Sequence, residues 1–277
     1  MGENLARLKT VIVCSLCDPA GTNIRERLLE KFPFVKSENF FDGSPIYSLA
    51  SDILLVSSRK EIIFVDDLED TFQDVRFVFI SKHRAESGIP SLTAHFTGNF
   101  GSASFGGKEG EIAHFSPSVL KNYLIALAAT KERINKDYGI TIEATHHGPT
   151  SLDSPVLFVE LGSTEIQWAD METAGVIANA VVSAIRDETA YGKCAIGIGG
   201  THYPQKLTQL IIESEFALGP VVPKYALEFF SRTLIDQILK KSDQEIKYAL
   251  VDQKGLGKFK ESVNRTVEEA GLEKISI

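Results

Sequence analysis

The 277-residue chain sets 29 Lys and Arg against 37 Asp and Glu, a net charge of −8, with 43% hydrophobic and 24% charged residues. That balance excludes a disordered chain and an extended nonspecific grip on nucleic acid, which depends on neutralising many phosphates. One local positive patch could still meet the end of an RNA.

No apolar run reaches the roughly 20 residues that a membrane-spanning helix needs, so no membrane association is expected. The opening MGENLARLKT has no apolar stretch of a secretory signal. Three cysteines fit a reducing, cytoplasmic setting better than a disulfide framework. The length allows a single α/β domain over residues 1–277, or two tightly packed lobes, and a monomer is the favoured state.

Short apolar runs alternate with amphipathic segments, which predicts α/β architecture. Residues 11–17 read as a first strand, DPAGTN as a turn, and residues 24–31 as a helix capped by Thr22 or Asn23. Strands are expected at residues 53–57, 62–65, 75–80 and 92–97. Ser116–Pro117 starts a helix that places Leu120, Tyr123, Leu124 and Leu127 on one face. Residues 156–161 and 194–198 read as buried strands around an alanine-rich helix at residues 171–185. A last helical region begins at Pro223, followed by a strand at residues 248–251 and a terminal helix.

All six histidines fall between positions 83 and 202, each near an expected strand end or in a loop. Ligands of open α/β sheets bind beyond strand ends, so the joint pattern points to a functional cluster. His114 lies outside its expected centre. His146 and His147 would face opposite ways on a strand, but the following Gly148–Pro149 favours a loop. There they could share one ion, serve different ions, or divide metal binding from proton handling. No established zinc spacing is present.

Glu160 interrupts the apolar run VLFVELG on the face of Val156 and Phe158. Buried, it would need a cation, a metal or a hydrogen-bond donor; otherwise it reaches solvent at the strand end. Glu165 follows in GSTEIQW, where Thr164 and Gln167 fit a capping box, so it is either a helix-entry residue or a catalytic one. The single tryptophan, Trp168, reads as core. HFTGNFGSASFGG offers uncovered amides at Gly98, Asn99, Gly101, Gly106 and Gly107, suited to phosphate or ribose, with Phe100 and Phe105 near enough to stack a terminal base. A plain glycine-rich loop would look the same. Lys82 and Arg84 could add positive charge beside His83. Cys14 and Cys17 face opposite ways on a strand and read as packing residues.

DPAGTNI, SKHRAESG, HFTGNFG…FGG, THHGPTS, FVELGSTE and GIGGTHYP, in that order, resemble the archaeal and plant type of D-aminoacyl-tRNA deacylase. The resemblance runs from about Asp18 to Ala226. It implies a three-layer α/β/α fold with a mixed central sheet, of the phosphorylase/hydrolase kind and similar to peptidyl-tRNA hydrolase. It also implies a zinc-dependent enzyme that cleaves the ester between a D-amino acid and the tRNA 3′ end. In that reading His95, His146, His202 and Glu160 hold zinc, and His83, His147 and Glu165 are catalytic. Lys82, Arg84 and the glycine-rich loop meet the substrate. The family often places a histidine after the glycine that precedes PKY, whereas this chain has Gly219–Pro220. The alternatives are a metal-free peptidyl-tRNA hydrolase-like enzyme, another zinc peptidase or amidase, and a noncatalytic RNA-end binding module.

Overall fold

A computed structural model describes residues 8–134 and 136–277. The chain opens with β1 (Lys9–Ser15), α1 (Pro19–Lys31), β2 (Val35–Phe41), β3 (Ser44–Leu49) and β4 (Ile53–Ser58). Next come β5 (Val75–Arg84), β6 (Ser91–His95), α2 (Pro117–Lys131), β7 (Gly139–Ile142) and β8 (Val156–Ser163). The second half holds α3 (Glu165–Trp168), α4 (Met171–Arg186), β9 (Lys193–Ile198), α5 (Gln205–Glu213) and β10 (Phe216–Val222). It closes with α6 (Arg232–Lys241), β11 (Ile246–Val251), α7 (Lys260–Glu269) and β12 (Glu273–Ser276).

Eight strands form a central mixed sheet in the order β2-β3-β4-β1-β5-β8-β6-β7. Its middle, β4-β1-β5-β8, is parallel, and β6 enters antiparallel to β8. The expected mixed sheet flanked by helices is present. A second sheet, β10-β9-β11-β12, is wholly parallel, and α2 touches both sheets. The hairpin β2–β3, the short β7 and the edge strands β10 and β12 carry weaker sequence signals and were not anticipated.

Strand alternation sorts the central sheet into two faces. Ile12, Val78, Ile80, Val159 and Leu161 point into a large core with α1, α2 and α4, which also takes in β9, β10 and β11. Val11, Val13, Phe77, Phe79, Val156 and Phe158 point the other way, under loops and short turns. Leu120, Tyr123, Leu124 and Leu127 of α2 are all buried in the first core, as their spacing requires. Among the described residues no helix is long and apolar enough to cross a membrane.

Two local expectations are corrected. Helix α1 starts earlier, at Pro19, because the Asp18 carboxylate accepts from the Gly21 amide at 2.8 Å and proline suits the first turn. Residues 62–65 are not a strand: Ile62–Phe64 is a 3-10 turn, whose three-residue repeat buries Ile62 and Val65 together. The helical region expected from Pro223 is present: it opens as a 3-10 turn, Lys224–Phe229, and continues as α6.

Asp170 caps α4 and collects Lys136 Nζ at 2.6 and 2.7 Å, Tyr138 Oη at 3.0 Å and Thr173 Oγ1 at 2.8 Å. Burial would raise its carboxyl, but the Lys136 and Thr173 hydrogen bonds outweigh that and hold it at about 2. Because the folded value lies below the unfolded one, this stabilisation is full above pH ~4 and is lost as pH falls toward ~2. Asp170→Ala is expected to cost about 1–2 kcal/mol in urea unfolding at neutral pH. The gap from wild type should close as the titration is repeated at lower pH.

Candidate active site

The C-terminal end of β5 and the paired stretch of β8 supply the first part of the site. Parallel register sets Ser81 beside Glu160 and His83 beside Gly162. Antiparallel register sets Thr93 beside Glu160 and His95 beside Phe158. Ser81, His83, Thr93, His95 and Glu160 therefore share the face of Phe77 and Phe158. Gly162 is required by close approach, because a Cβ there would lie 2.4 Å from the His83 carbonyl oxygen. The Trp168 indole donates to that same oxygen at 2.8 Å, so the buried tryptophan of α3 fixes the end of β5.

The loop after β7 supplies the second part. It continues beside β6 through the Glu143 amide to Ala94 oxygen bond (3.0 Å) and the Thr97–His146 bridge. His147 then adopts φ 45°, the left-handed region that a side chain enters only when its surroundings hold it there. This turn breaks strand alternation and lets neighbouring imidazoles converge. The ring centroids of His95, His146 and His147 lie 4.2, 4.8 and 4.4 Å apart in pairs. His202 arrives from the Gly199–Gly200 turn after β9, and its carbonyl accepts from Ala144 at 2.8 Å.

Potential ligand atoms fall into three overlapping groups: His95, His146 and His147; Glu143, His146 and His202; and His83, Glu143 and Glu160. Within each group they lie within 4.8 Å of one another. Nδ1 of His95, His146 and His147 lies 3.1, 2.7 and 2.6 Å from the carbonyl oxygens of Phe96, Ala144 and Gly148. A carbonyl can only accept, so each Nδ1 carries the hydrogen and each neutral ring keeps its Nε2 lone pair free. Backbone-oriented imidazoles of this kind suit a metal ion. His95 Nε2 is buried with no hydrogen-bond partner, as expected of an atom meant for a ligand. The donor set thus fits a transition metal.

Glu143 and Glu160 are almost fully buried and must be compensated. Glu143 lies 3.0 Å from both His83 Nδ1 and His202 Nε2, although its Oε1 atom lacks hydrogen-bond alignment toward His83. Glu160 lies 3.5 Å from His83 Nδ1 and 3.8 Å from His95 Nε2, and accepts from Thr93 Oγ1 at 3.3 Å. Burial would raise both carboxyls, but His202 and His83 hold Glu143 well below the usual range, and His83 and His95 hold Glu160 below it. In return, burial lowers the two imidazoles, yet Glu143 and Glu160 push His83 up to about 10, and Glu160 raises His95. For His146, whose Nε2 lies 3.9 Å from Glu143, and for His147 the attraction of the carboxylates is outweighed. Burial and the His95 charge bring His146 well below its ordinary value and His147 down to about 4.

The cluster opens into a cavity of about 580 Å³ whose wall includes Asp18, Lys82, Arg84, Phe105 and Tyr203. His83, His146, His147, His202 and Glu160 all line it, while His95 sits behind them, fully buried. Glu160 does not reach solvent. Glu165 is exposed on the first turn of α3 and is not among the lining residues. Its capping box is formed, which favours the helix-entry alternative. His114 lines a separate cavity with Lys240 and Lys241.

The glycine-rich loop is largely consumed by its own packing. The Gly98 amide donates to His147 oxygen at 2.9 Å, and the Asn99 side chain holds the Gly106 and Lys108 carbonyls at 2.9 and 3.2 Å. Gly101 faces the Phe229 ring, and Gly107 faces Thr150 at a distance no Cβ could share. Among Gly98, Asn99, Gly101, Gly106 and Gly107, none lines the cavity; Phe105, 68% exposed, is what the loop presents there. Cys17 is exposed at the cavity rather than packed, unlike Cys14.

Glu143, Tyr203 and Asp18 were not anticipated. Glu143 carried the signal read at Glu160, a carboxylate ending an apolar run, here in ITIE. Tyr203 Oη lies 3.3 Å from His83 Nε2. Asp18 holds Lys82 N at 2.9 Å and Ser81 Oγ at 3.0 Å, tying α1 to the end of β5.

A mixed α/β sheet that ends in a buried, metal-competent histidine–carboxylate cluster beneath an open cavity defines a hydrolase-type centre. Residues 71–275 match the D-aminoacyl-tRNA deacylase family, and the chain belongs to that family. It is 36% identical over 270 residues to the D-aminoacyl-tRNA deacylase of Pyrococcus furiosus, covering 95% of this chain and 98% of that one. The corresponding protein of Cenarchaeum symbiosum is 38% identical over 259 residues, with 94% and 96% covered. The crystal structure of a conserved protein of unknown function, AF0625, superposes with a TM-score of 0.89 at 32% identity, over 97% of this chain and 95% of that one.

Burial lowers His95 but Glu160 raises it, so a metal that takes its Nε2 competes with a proton for that atom. Titration with Co(II) in buffers of differing ionisation enthalpy should therefore show net proton release. The ion should also raise the melting temperature. Both effects should vanish in His95→Ala, and a rise of equal size in that variant would place the ion elsewhere.

Proposed function

We propose that this protein hydrolyses the ester bond joining a D-amino acid to the 3′ end of tRNA, releasing free D-amino acid and tRNA, with zinc as its metal. The observation that carries the reading is the convergence of His95, His146 and His147, each with Nδ1 tied to a backbone carbonyl, in a chain of the deacylase family. Those three imidazoles would hold the ion, with Glu143 and His202 as further donors on the His146 side. Bound zinc would supply a Lewis acid and lower the pKa of a water molecule.

The remaining residues have work of their own. His83 keeps its proton at neutral pH because Glu143 and Glu160 face it, so it is suited to protonate the departing ribose oxygen. Tyr203 orients that ring through Nε2. His147, neutral at working pH, is suited to donate its lone pair and not a proton. Lys82 and Arg84 place positive charge on the cavity wall for the terminal phosphate, and the exposed ring of Phe105 offers the terminal base a stacking surface. Ile62 and Ile63 form an apolar wall near Phe105, which suits an amino-acid side chain. A cytoplasmic location follows from the substrate.

The test is deacylation of D- and L-tyrosyl-tRNA by protein with and without a chelator, followed by zinc add-back. D-selective hydrolysis that disappears on chelation and returns with zinc is expected. Activity that survives chelation would replace zinc with a histidine base, and equal rates on both enantiomers would remove the chiral selectivity. His147→Ala should lower kcat by roughly a hundredfold or more while leaving tRNA binding intact.

A further inference from the structure

Away from the active site, α1, α4 and the end of α2 enclose a second cavity of about 460 Å³. Arg27, Lys31 and Arg133 line it over an apolar floor that includes Ile134 and Val176. Arg27 and Lys31 are four residues apart on α1, hence on one face of the helix. Among the described residues Lys31 and Arg133 make no ion pair, and the buried Arg27 Nε has no hydrogen-bond partner, although its guanidinium meets Glu30 at 2.7 Å. The one acid in the wall, Glu172, is already paired with Lys136 at 3.1 Å. In a chain of net charge −8, three converging cations are a local reversal of sign.

The packing makes room for them. Gly175 lies inside α4, where glycine weakens a helix relative to alanine. A Cβ there would stand 2.9 Å from Lys31 Cε and 3.6 Å from Arg27 Cδ. The glycine thus lets both stems lie across α4 with their charged ends at the cavity.

We propose that this groove binds backbone phosphates of the tRNA acceptor stem. The inference rests on the deacylase reading for its choice of RNA. Asp18, at the start of α1, lines the active-site cavity, and Arg27 and Lys31 follow 9 and 13 residues later. At about 1.5 Å per residue the groove lies roughly 14–20 Å from the catalytic end of the helix. A few single-stranded nucleotides cover that distance, so the ester can occupy the histidine cluster while the stem lies on the cations. The contact is sequence-independent, as charge on phosphate requires.

The test compares D-tyrosyl-tRNA with D-tyrosyl-adenosine, which has no stem, in wild type and in the double variant Arg27→Glu, Arg133→Glu. The expected result is a roughly tenfold or larger fall in kcat/KM for the tRNA substrate, with a shallower salt dependence and an unchanged rate on the adenosine ester. Gly175→Ala, which favours the helix but displaces Lys31, should weaken only the tRNA reaction. Equal losses on both substrates, or none on either, would overturn the proposal. Binding of uncharged tRNA is measured in parallel: if wild type hydrolyses neither ester, the deacylase reading fails, while weaker tRNA binding by the double variant still upholds the groove. Competition by adenosine monophosphate as strong as by tRNA would make it a mononucleotide pocket and overturn the assignment.

Discussion

Two carboxylates, Glu143 and Glu160, are buried within contact of one imidazole, His83. Removing each ion from water costs on the order of several kcal/mol, so the site exists only because positive charge surrounds both. His83 Nδ1 and His202 Nε2 lie 3.0 Å from Glu143, and His83 Nδ1 and His95 Nε2 lie 3.5 and 3.8 Å from Glu160. A metal meets the need for positive charge more fully, since a divalent ion brings its own charge and takes up neutral imidazole lone pairs. The proton that Glu143 and Glu160 hold on His83 supplies part of that charge from the chain itself. The same arrangement therefore explains the opposite behaviour of neighbouring histidines: His83 and His95, beside Glu160, are raised, and His146 and His147, where burial and the neighbouring His95 dominate, are lowered.

Much of the surrounding structure can be read as support for that balance. Gly162 and Trp168 fix the end of β5 that carries His83. Asp18 accepts from the Ser81 hydroxyl and the Lys82 amide at the start of α1, so the first helix is fastened to the site as well as to the core. The glycine-rich loop serves the same end from the other side, since its amide at Gly98 holds the His147 carbonyl. Its glycines allow loops to approach; they do not form an open cradle. In a chain of net charge −8, Lys82 and Arg84 stand on the wall of the active-site cavity, and Arg27, Lys31 and Arg133 line the groove of α1 and α4.

Local chemistry was legible wherever a short stretch decides the outcome. The apolar runs of β1, β5 and β8 declared themselves, as did the Ser116–Pro117 start of α2 and the alanine-rich α4. The odd polar residue in an apolar run marked Glu160, and the grouping of histidines marked the site. Asp18 was misread because Thr22 and Asn23 offered equally good caps, and only the Gly21 and Lys82 amides single it out. The run at residues 62–65 has the composition of a strand, but folds as a turn over the apolar wall of the cavity. Four residues carry too little periodicity to separate those outcomes.

What the sequence determined by itself was therefore the α/β alternation, the family motifs and the residue types of the site. Which atoms meet was decided by tertiary structure. His83, His95, His147 and His202 come from four separate segments, and their convergence depends on strand order, on the β5–β8 and β6–β8 registers, and on the left-handed turn at His147. Register is fixed by packing both faces of the sheet at once, which no local window contains. Burial of Glu143 and exposure of Glu165 follow from the same cause: each ends or follows an apolar strand, and only the fold shows which side of the sheet edge it faces.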